Sequence, residues 1–434
     1  MAIQINSNGT FSIEYVGPYS GVNTQSPETN IPDTATPSMN NFMLRNQELR
    51  SRPNLVAALP PFGVGLGFTN FVDINGTYHV VAWSGRQLFQ YNPVGPSWDS
   101  LGNAAPADLK QNTVQYRAFA NTIYYTSLSQ VITPPQPGGG GGGGGPTMPF
   151  VGLWNGLTAN PQYQQTQYDA SVTNSIAGIA TASSPTVGGS LPGGPTLTGP
   201  LALGAQFLGE LNNQLILANV NLLDQGTSTL YNFPNLIWWS ANGLPLQWDP
   251  TQNTSAGFNP FLDVSDLITG LMTMGVAGYI FRSYGITQFA PSGSAITPFT
   301  FDHMWASEHG IGNVLPWSIA QYGPQGAFVA QDNIYALSIT NAQPIGGTAR
   351  DAIMSDLANM LPGAPLDPGI PYGVILPIFK AGYVYLTYQL LIPFQDFVKM
   401  WVYSFEDKNW ASWELPFGDP TRVLPTINCP PNVV

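Results

Sequence analysis

The chain has 434 residues, of which 43% are hydrophobic and 12% aromatic, so it can bury a large core. Only 8% of the residues are charged, against roughly 25% in ordinary soluble proteins, and the formal net charge is −12. This balance disfavours a nucleic-acid binder, because affinity for phosphate depends on clustered Lys and Arg. An uncharged surface favours a protein that lives inside a large assembly; a secreted or halotolerant β-protein is the alternative.

Cysteine content and hydropathy exclude further classes of protein. The lone Cys429 excludes an intramolecular disulfide framework and a zinc site built on cysteines. The first residues lack a basic segment followed by an apolar run, so no secretory signal is predicted. The two most apolar stretches, 268–281 and 372–394, are interrupted by Gly, Pro or Lys, so no membrane span is predicted.

Residues 1–55 are predicted to form an N-terminal arm or clamp. They show little hydrophobic periodicity, and several prolines favour an extended chain there. Arg45, Arg50 and Arg52 cluster at the end of this arm. They are candidate interface residues that would make ion pairs with a neighbouring subunit or with the rest of the chain; an ordinary solvated turn is the alternative.

Residues 56–425 are predicted to form a β-propeller. Short apolar runs with period-two alternation recur there as strand, turn, strand, turn and Trp. The clearest copies span residues 77–101, 212–250 and 383–415, and weaker copies span 119–154, 267–289 and 319–339. Each unit has two apolar faces and cannot bury them alone, so stacked units in a ring of about six blades are expected. A sandwich or jelly roll would not need the recurring Trp.

The remaining segments are assigned by composition. Residues 134–146, with eight consecutive glycines, and residues 170–200 are predicted to be flexible insertions in the propeller. Residues 350–361 have the one convincing helical pattern, which Pro362 ends. Residues 426–434 are a C-terminal tail.

Candidate catalytic and metal-binding residues are sparse. A metal site at His303 and His309 would need both imidazoles and a carboxylate to converge, and their spacing matches no local ligand motif. Acidic side chains in turns are expected to accept backbone N–H groups rather than to act as glycosidase acids. The acids considered are Asp73, Asp99, Asp249, Glu308, Asp332 and Glu414. No catalytic, metal or cofactor-binding residue is predicted, and no cofactor.

Aromatic pairs supply the main alternative function. Trp238-Trp239 and Trp401 with Tyr403 would form a sugar-binding shelf if they were exposed, although at strand spacing such residues are more often half core and half interface. The alternative is therefore a carbohydrate-binding or glycan-cleaving propeller, such as a receptor-binding adhesin. It would need exposed aromatic residues beside two free carboxylates.

Three segments, in this order, resemble the tail nozzle proteins, also called tail tubular or hub proteins, of short-tailed bacteriophages. The first begins at Gly21-Val22 and ends in Arg52-Pro53-Asn54-Leu55, where the family usually has Gly in place of Asn54. The second is Ile-Trp-Trp-Ser-Ala-Asn-Gly-Leu-Pro-Leu-Gln-Trp-Asp-Pro at 237–250 with its continuation to 289, and the third is 401–413. The resemblance covers most of residues 20–415.

This resemblance implies a structural virion protein of the phage tail and not an enzyme. Such a subunit contains a β-propeller and forms a ring, typically a homohexamer, below the portal and the head-to-tail adaptor protein. Genomic DNA leaves through the lumen of the ring without specific binding, and tail fibre or spike proteins attach outside. The net charge of −12 further suggests an acidic lumen.

Overall fold

The computed structural model describes residues 2–5, 11–14, 42–45, 48–51, 67–105, 114–127, 149–158, 160–163, 201–224, 229–248, 255–261, 266–294, 297–304, 310–339, 341–359, 372–380, 383–394 and 397–416. These residues form 28 β-strands, one α-helix and two short 3-10 helices. The chain divides into two compact units. Unit 1 contains Met1–Ala57 and Asn313–Arg422, and unit 2 contains Ala58–Gly312 and Val423–Val434.

Unit 2 contains four antiparallel sheets, each of four strands that neighbour one another in chain order and are labelled A to D within their sheet. Sheet 1 has β5 (Gly67–Val72), β6 (Tyr78–Ser84), β7 (Gln87–Asn92) and β8 (Ser97–Asn103). Sheet 2 has β9 (Val114–Phe119), β10 (Thr122–Ser127), β11 (Gly152–Trp154) and β12 (Gln162–Tyr163). Sheet 3 has β13 (Leu201–Leu211), β14 (Gln214–Asp224), β15 (Thr229–Trp239) and β16 (Gly257–Pro260). Sheet 4 has β17 (Ile268–Met274), β18 (Ala277–Arg282), β19 (Ile286–Pro291) and β20 (Phe299–His303).

Sheets 2 and 3 of unit 2 are buried on both faces, as their apolar runs predict. In β14, Leu215 and Leu217 pack in the core shared by sheets 2 and 3, whereas Ile216 and Ala218 pack in the core shared by sheets 3 and 4. A third core joins sheets 1 and 2. Because successive side chains of a strand point to opposite faces, one strand contributes to two cores. Each sheet therefore depends on its neighbours to cover it.

The A strands of unit 2 run side by side in the same direction. Gly67 and Val114, which begin strand A of sheets 1 and 2, are in contact. The Thr126 hydroxyl, near the end of strand B of sheet 2, accepts the N–H of Ala205 in strand A of sheet 3 at 3.1 Å, and the Asn219 amide in strand B of sheet 3 donates to the carbonyl of Ile268, which begins strand A of sheet 4, at 3.2 Å. Farther along the A strands, Gly209 of sheet 3 packs on the side chain of Leu271 of sheet 4. The A-to-B turns of all four sheets consequently lie at one end of unit 2, together with the C-to-D connections. We call this the AB end, and the opposite end the BC end.

Unit 1 contains two further four-stranded sheets with the same strand order. Sheet 5 has β21 (Ala320–Tyr322), β22 (Gln325–Val329), β23 (Ile334–Leu337) and β24 (Ala342–Pro344). Sheet 6 has β25 (Tyr372–Lys380), β26 (Tyr383–Pro393), β27 (Phe397–Ser404) and β28 (Asn409–Pro416). Two hairpins come from the first 55 residues: β1 (Ala2–Ile5) with β2 (Phe11–Glu14), and β3 (Phe42–Arg45) with β4 (Glu48–Ser51). Strand β3 lies next to β28.

The helix of unit 1, α1 (Arg350–Asn359), follows a 3-10 turn at Gly347–Ala349. Its residues Ile353 and Leu357 lie one turn apart on a single face, and they pack in a core with Tyr388 and Trp401 of sheet 6. The second 3-10 turn, Pro316–Ser318, precedes sheet 5. The predicted helix is thus present and ends at Asn359, before Pro362.

The fold confirms the prediction of an all-β chain built as a β-propeller of about six blades. Six four-stranded antiparallel meanders, each in chain order, are the blades. The hairpins β1–β2 and β3–β4 belong to the predicted arm of residues 1–55. The predicted insertions 134–146 and 170–200 and the tail 426–434 lie outside the described residues, so the predicted domain boundaries stay predictions.

Candidate functional site

Asp73 and His79 form a buried pair in the A-to-B turn of sheet 1. Nε2 of His79 lies 3.0 Å from a carboxylate oxygen of Asp73, and Nδ1 lies 3.0 Å from the Gln90 amide. The other Asp73 oxygen accepts the backbone N–H groups of Asn75 and Thr77 at 2.8 and 2.9 Å. The hydrogen bond from His79 lowers the pKa of Asp73 below its ordinary value of 3.8; burial opposes this effect and the two backbone donors add to it.

The Asp73–His79 pair stabilises the A-to-B turn of sheet 1, and both carboxylate oxygens and both ring nitrogens take part in hydrogen bonds. The His79 ring stacks on Phe71 and meets Trp154 of sheet 2 edge-on, with ring centroids 5.2 and 5.1 Å away. Gly156 packs against both members of the pair, since a Cβ at that position would lie 2.7 Å from Nε2 of His79. The expectation that acids in turns accept backbone N–H groups is confirmed for Asp73. His79 was not predicted as its partner, because no spacing in the sequence marks the pair.

The other candidate acids are scattered over different sheets. The exposed Asp99 accepts hydrogen bonds from the Asn92 amide and the Ser97 hydroxyl. Asp332 accepts the Tyr335 hydroxyl at 2.9 Å. Glu414 is exposed on β28, opposite Lys399 in the strand register. Asp249 and Glu308 lie outside the described residues.

Of the two histidines considered for a metal site, His303 is at the end of β20 and His309 lies outside the described residues. The contacts of His303 include the side chains of Arg282 and Thr287. Its Nδ1 accepts Nη2 of Arg282 at 3.2 Å and lies 3.3 Å from the Thr287 hydroxyl. Across the described ranges, no group of three His, Cys, Asp or Glu side chains is placed to hold a metal ion.

Arg282 is the one Lys or Arg among the described residues that is buried, with 3% of its surface exposed. Its Nη2 donates to the Thr287 hydroxyl at 3.1 Å as well as to His303, and its Cζ lies 5.8 Å from the Phe261 ring centroid. Within the described part of the chain, Nε and Nη1 have no hydrogen-bond partner. Nothing in the sequence distinguishes this residue, because an Arg at the end of a strand has the pattern of a solvated cation.

The aromatic pairs are buried and offer no shelf to a sugar. Trp238, Trp239, Trp401 and Tyr403 are each 7% exposed or less. Nε1 of Trp238 donates to the carbonyl of Trp248, and Nε1 of Trp401 donates to the Asp356 carboxylate at 2.7 Å. Lys399 forms an ion pair with the same Asp356 oxygen at 2.7 Å. These residues are core and lend no support to the carbohydrate-binding alternative.

The predicted interface arginines lie in the β3–β4 hairpin and just beyond it. The strand register places Arg45 opposite Glu48 and Arg50 opposite Met43. Their side chains, and the whole of Arg52, lie outside the described residues. That these arginines make ion pairs with a neighbouring subunit or with the propeller stays a prediction.

Large apolar side chains are exposed mainly at the AB end of unit 2. Those at the AB end are Val72, Ile74, Tyr78 and Val94 in sheet 1, Leu157 in sheet 2, Leu244 in sheet 3 and Val276 in sheet 4. Their exposed fractions run from 46% for Val72 to 93% for Val94. At the BC end only Leu267 and Tyr284 have this character among the described residues of the unit. In the same ranges, no helix is long and apolar enough to cross a membrane.

No family model matches this chain, and no curated protein matches it significantly. Similar solved structures include a prolyl endopeptidase, with 9% identity and a TM-score of 0.37 over 81% of this chain and 42% of that one. YCF48 from Cyanidioschyzon merolae has 11% identity and a TM-score of 0.31 over 77% and 94%. A quinonprotein alcohol dehydrogenase-like protein from Bacteroides thetaiotaomicron has 9% identity and a TM-score of 0.34 over 81% and 66%. The chain spans less than half of the prolyl endopeptidase, and these similarities assign it no activity or partner.

Proposed function

We propose that this protein is a non-catalytic structural subunit that assembles with copies of itself into a ring, and that the ring is the nozzle of a short-tailed phage. The resemblance of the three sequence segments supplies the phage tail as the setting. The observation that carries the assembly is the apolar AB end of unit 2. The candidate acidic residues, by contrast, either accept backbone hydrogen bonds in a turn, as Asp73 does, or lie on different sheets.

The AB end has the character of a surface that another protein covers. Exposed apolar area is unfavourable in water, and seven large apolar side chains are exposed at this one end of the unit. Ile74, Val94 and Val276, at 70%, 93% and 75% exposure, belong to turns of sheets 1 and 4. Turn residues are normally polar, so apolar side chains there need a reason outside the fold. A composition with only 8% charged residues provides little electrostatic repulsion between copies.

Copies of the chain form the ring, with six as the expected number; the head-to-tail adaptor protein and the tail fibre or spike proteins bind its faces. Genomic DNA passes through the lumen without specific binding, since a net charge of −12 repels phosphate.

The test compares two sets of serine substitutions in the purified chain. Ile74→Ser, Val94→Ser and Val276→Ser together remove apolar surface at the AB end, and Leu267→Ser with Tyr284→Ser is the matched control at the BC end. Negative-stain microscopy and sedimentation velocity are expected to show rings with a central hole for the wild type and the control, and single subunits for the AB-end variant. Wild-type protein that stays a single subunit at tens of micromolar, or an AB-end variant that assembles normally, would refute the proposal.

A further inference from the structure

Three Asn-Gly dipeptides lie in the described part of the chain, at Asn75-Gly76, Asn155-Gly156 and Asn242-Gly243. Asparagine is among the thermolabile residues. Its side-chain Cγ can be attacked by the main-chain nitrogen of the next residue, and a glycine favours this attack because no side chain shields its nitrogen. The three sites share this dipeptide, so a difference in their reactivity in the folded chain comes mainly from the structure around each.

Asn75 is the least restrained of the three asparagines. It is exposed in the A-to-B turn of sheet 1, and its side-chain amide has no hydrogen bond to any described residue. Gly76 is exposed as well, and a Cβ added to it would have nothing within 4 Å. One contact opposes the attack, since the Gly76 N–H donates to the backbone carbonyl of Asp73 at 3.0 Å. That hydrogen bond must break before Cγ of Asn75 can bond to the Gly76 nitrogen.

Asn155 is restrained by its own side chain and by crowding. Its Oδ1 accepts the N–H groups of Leu157 and Thr158, both at 3.0 Å. Rotation of the side chain onto the Gly156 nitrogen would break both hydrogen bonds. Gly156 itself is enclosed, because a Cβ added to it would lie 2.7 Å from Nε2 of His79.

Asn242 is exposed, but hydrogen bonds hold it from several sides. Its Nδ2 donates to the carbonyl of Asn212, and its backbone N–H donates to the Ser255 hydroxyl, both at 3.0 Å. The Gly243 N–H donates to the carbonyl of Asn213 at 2.9 Å. The attack at this site would break the hydrogen bonds of both the side-chain amide and the glycine nitrogen, and each additional hydrogen bond slows the step several-fold.

We propose that Asn75 is a site of spontaneous deamidation, which the fold makes faster than Asn155 and Asn242. The Gly76 nitrogen gives its proton to water and bonds to Cγ of Asn75, and the side-chain nitrogen takes up a proton and leaves as ammonia. Water then opens the resulting succinimide ring. Attack of water at Cγ yields aspartate, whereas attack at the main-chain carbonyl carbon yields isoaspartate. Water is the only co-reactant.

The isoaspartate product would disrupt the hydrogen bonds of the turn. Its main chain passes through Cγ, so the chain is one carbon longer at this point. One Asp73 oxygen accepts the N–H groups of both Asn75 and Thr77, at 2.8 and 2.9 Å, and the longer chain would displace Thr77 from that oxygen. The new carboxylate would also lie beside Ile74, in the apolar AB end. The modification does not depend on the proposed ring, because all of these groups belong to one chain.

The experiment incubates the full chain in mildly alkaline buffer made with water enriched in heavy oxygen, and peptide mass spectrometry measures the uptake of label at each of the three asparagines. In the folded chain, Asn75 should react at least about fivefold faster than Asn155 or Asn242. In the same buffer with urea, which unfolds the chain, the three rates should converge. The proposal is overturned if Asn155 or Asn242 reacts as fast as Asn75 in the folded chain, or if Asn75 reacts only in urea.

Calorimetry before and after incubation tests the consequence for the turn. Asn75→Gln keeps an amide but would have to close a larger and slower-forming ring, and Asn242→Gln is the matched control in another exposed turn. Incubation should lower the Tm of wild type and N242Q by several degrees and leave that of N75Q unchanged. Asn75→Asp, which adds the charge without lengthening the chain, should lose less than the incubated wild type. An equal loss in N75Q, or a labelled wild type with an unchanged Tm, would contradict the disruption of the turn.

Discussion

Sheets 1 and 4 each bury a charged side chain next to a histidine, and the two arrangements have opposite outcomes. In sheet 1, Asp73 is 3% exposed and meets His79 at 3.0 Å, with two backbone N–H groups on its other oxygen. In sheet 4, Arg282 is equally buried, yet its histidine accepts only one of its nitrogens. The first network is complete, whereas the second contains no anion among the described residues.

The comparison shows that a buried charge beside a histidine can be balanced to very different degrees in neighbouring sheets of one fold. Both networks have a histidine, a strand end and aromatic neighbours, so residue types alone do not separate them. What separates them is whether every donor and the net charge are satisfied by neighbouring groups. Four substitutions test that distinction.

The largest loss of stability is expected from Asp73→Ala. It leaves the N–H groups of Asn75 and Thr77 and the ring of His79 without their acceptor in a buried turn. The Tm measured by calorimetry at neutral pH should fall by several degrees. Asp73→Asn, which keeps one acceptor oxygen, should lie between wild type and D73A, and an unchanged Tm for both variants would contradict the structural role.

The same carboxylate predicts the direction of a pH effect. Because the folded pKa of Asp73 is lowered, its contribution is present above the unfolded value of about 3.8 and is lost as the pH falls through the folded value. Wild type should therefore lose stability faster than D73A as the pH is lowered below 3.8. Parallel losses in the two proteins would assign acid unfolding to other groups.

Gly156→Ala should disturb the Asp73–His79 network of sheet 1 and lower the free energy of unfolding by less than D73A does. Gly156 has φ +81, and an added Cβ would lie 2.7 Å from Nε2 of His79 and 2.9 Å from Cβ of Asp73. Gly76, with φ +82 and nothing within 4 Å, is a control that carries the same backbone strain without the clash. G76A should cost about 1 kcal/mol and G156A about 2 kcal/mol more in chemical denaturation. Equal costs would mean that the pair tolerates displacement.

Arg282→Met, unlike D73A, should not lower the free energy of unfolding. In a buffer free of phosphate and carboxylates, it replaces an unpaired buried cation with an apolar side chain, so the variant should equal wild type or exceed it by about 1 kcal/mol. Urea unfolding measures this difference. A loss of more than about 2 kcal/mol would show that the chain itself already balances the charge.

Asp99→Ala should have the smallest effect. The side chain is exposed, and its partners, the Asn92 amide and the Ser97 hydroxyl, are also exposed. The free energy of unfolding should change by no more than about 0.5 kcal/mol, which the same urea titration can establish. A larger loss would show that exposed turn acids contribute as Asp73 does.

The sheets could be predicted from the sequence because the same pattern of apolar runs and turns recurs in several of them. Runs such as 215–218 and 236–239 are apolar at every position, which fits strands buried on both faces. Turn residues mark the strand ends: Asn212 and Asn213, both with positive φ, join β13 to β14. The recurrence of that pattern fixed the number of blades at about six. The tryptophan that repeats after each hairpin does not keep one structural role: Trp98 lies in a strand, whereas Trp248 lies in a connection.

The candidate sites were much less predictable. Asp73 and His79 are six residues apart, and only the hairpin brings them together, so a search for spaced motifs misses them. Arg282, Thr287 and His303 come from three strands of one sheet, and what distinguishes them is burial, which composition does not reveal. The apolar turn residues at the AB end were visible in the sequence, but their common location depends on the parallel alignment of the A strands.

Unit 1 joins the first 57 residues to residues 313–422, with unit 2 between them in the sequence. During synthesis on a ribosome, every strand of unit 2 emerges before the partners of the N-terminal segment exist. Strand β3 can take its place next to β28 only after residue 416 has been made. The β3–β4 hairpin therefore lacks its neighbouring strand during most of translation. It can pack in unit 1 only after the last sheet has been synthesised.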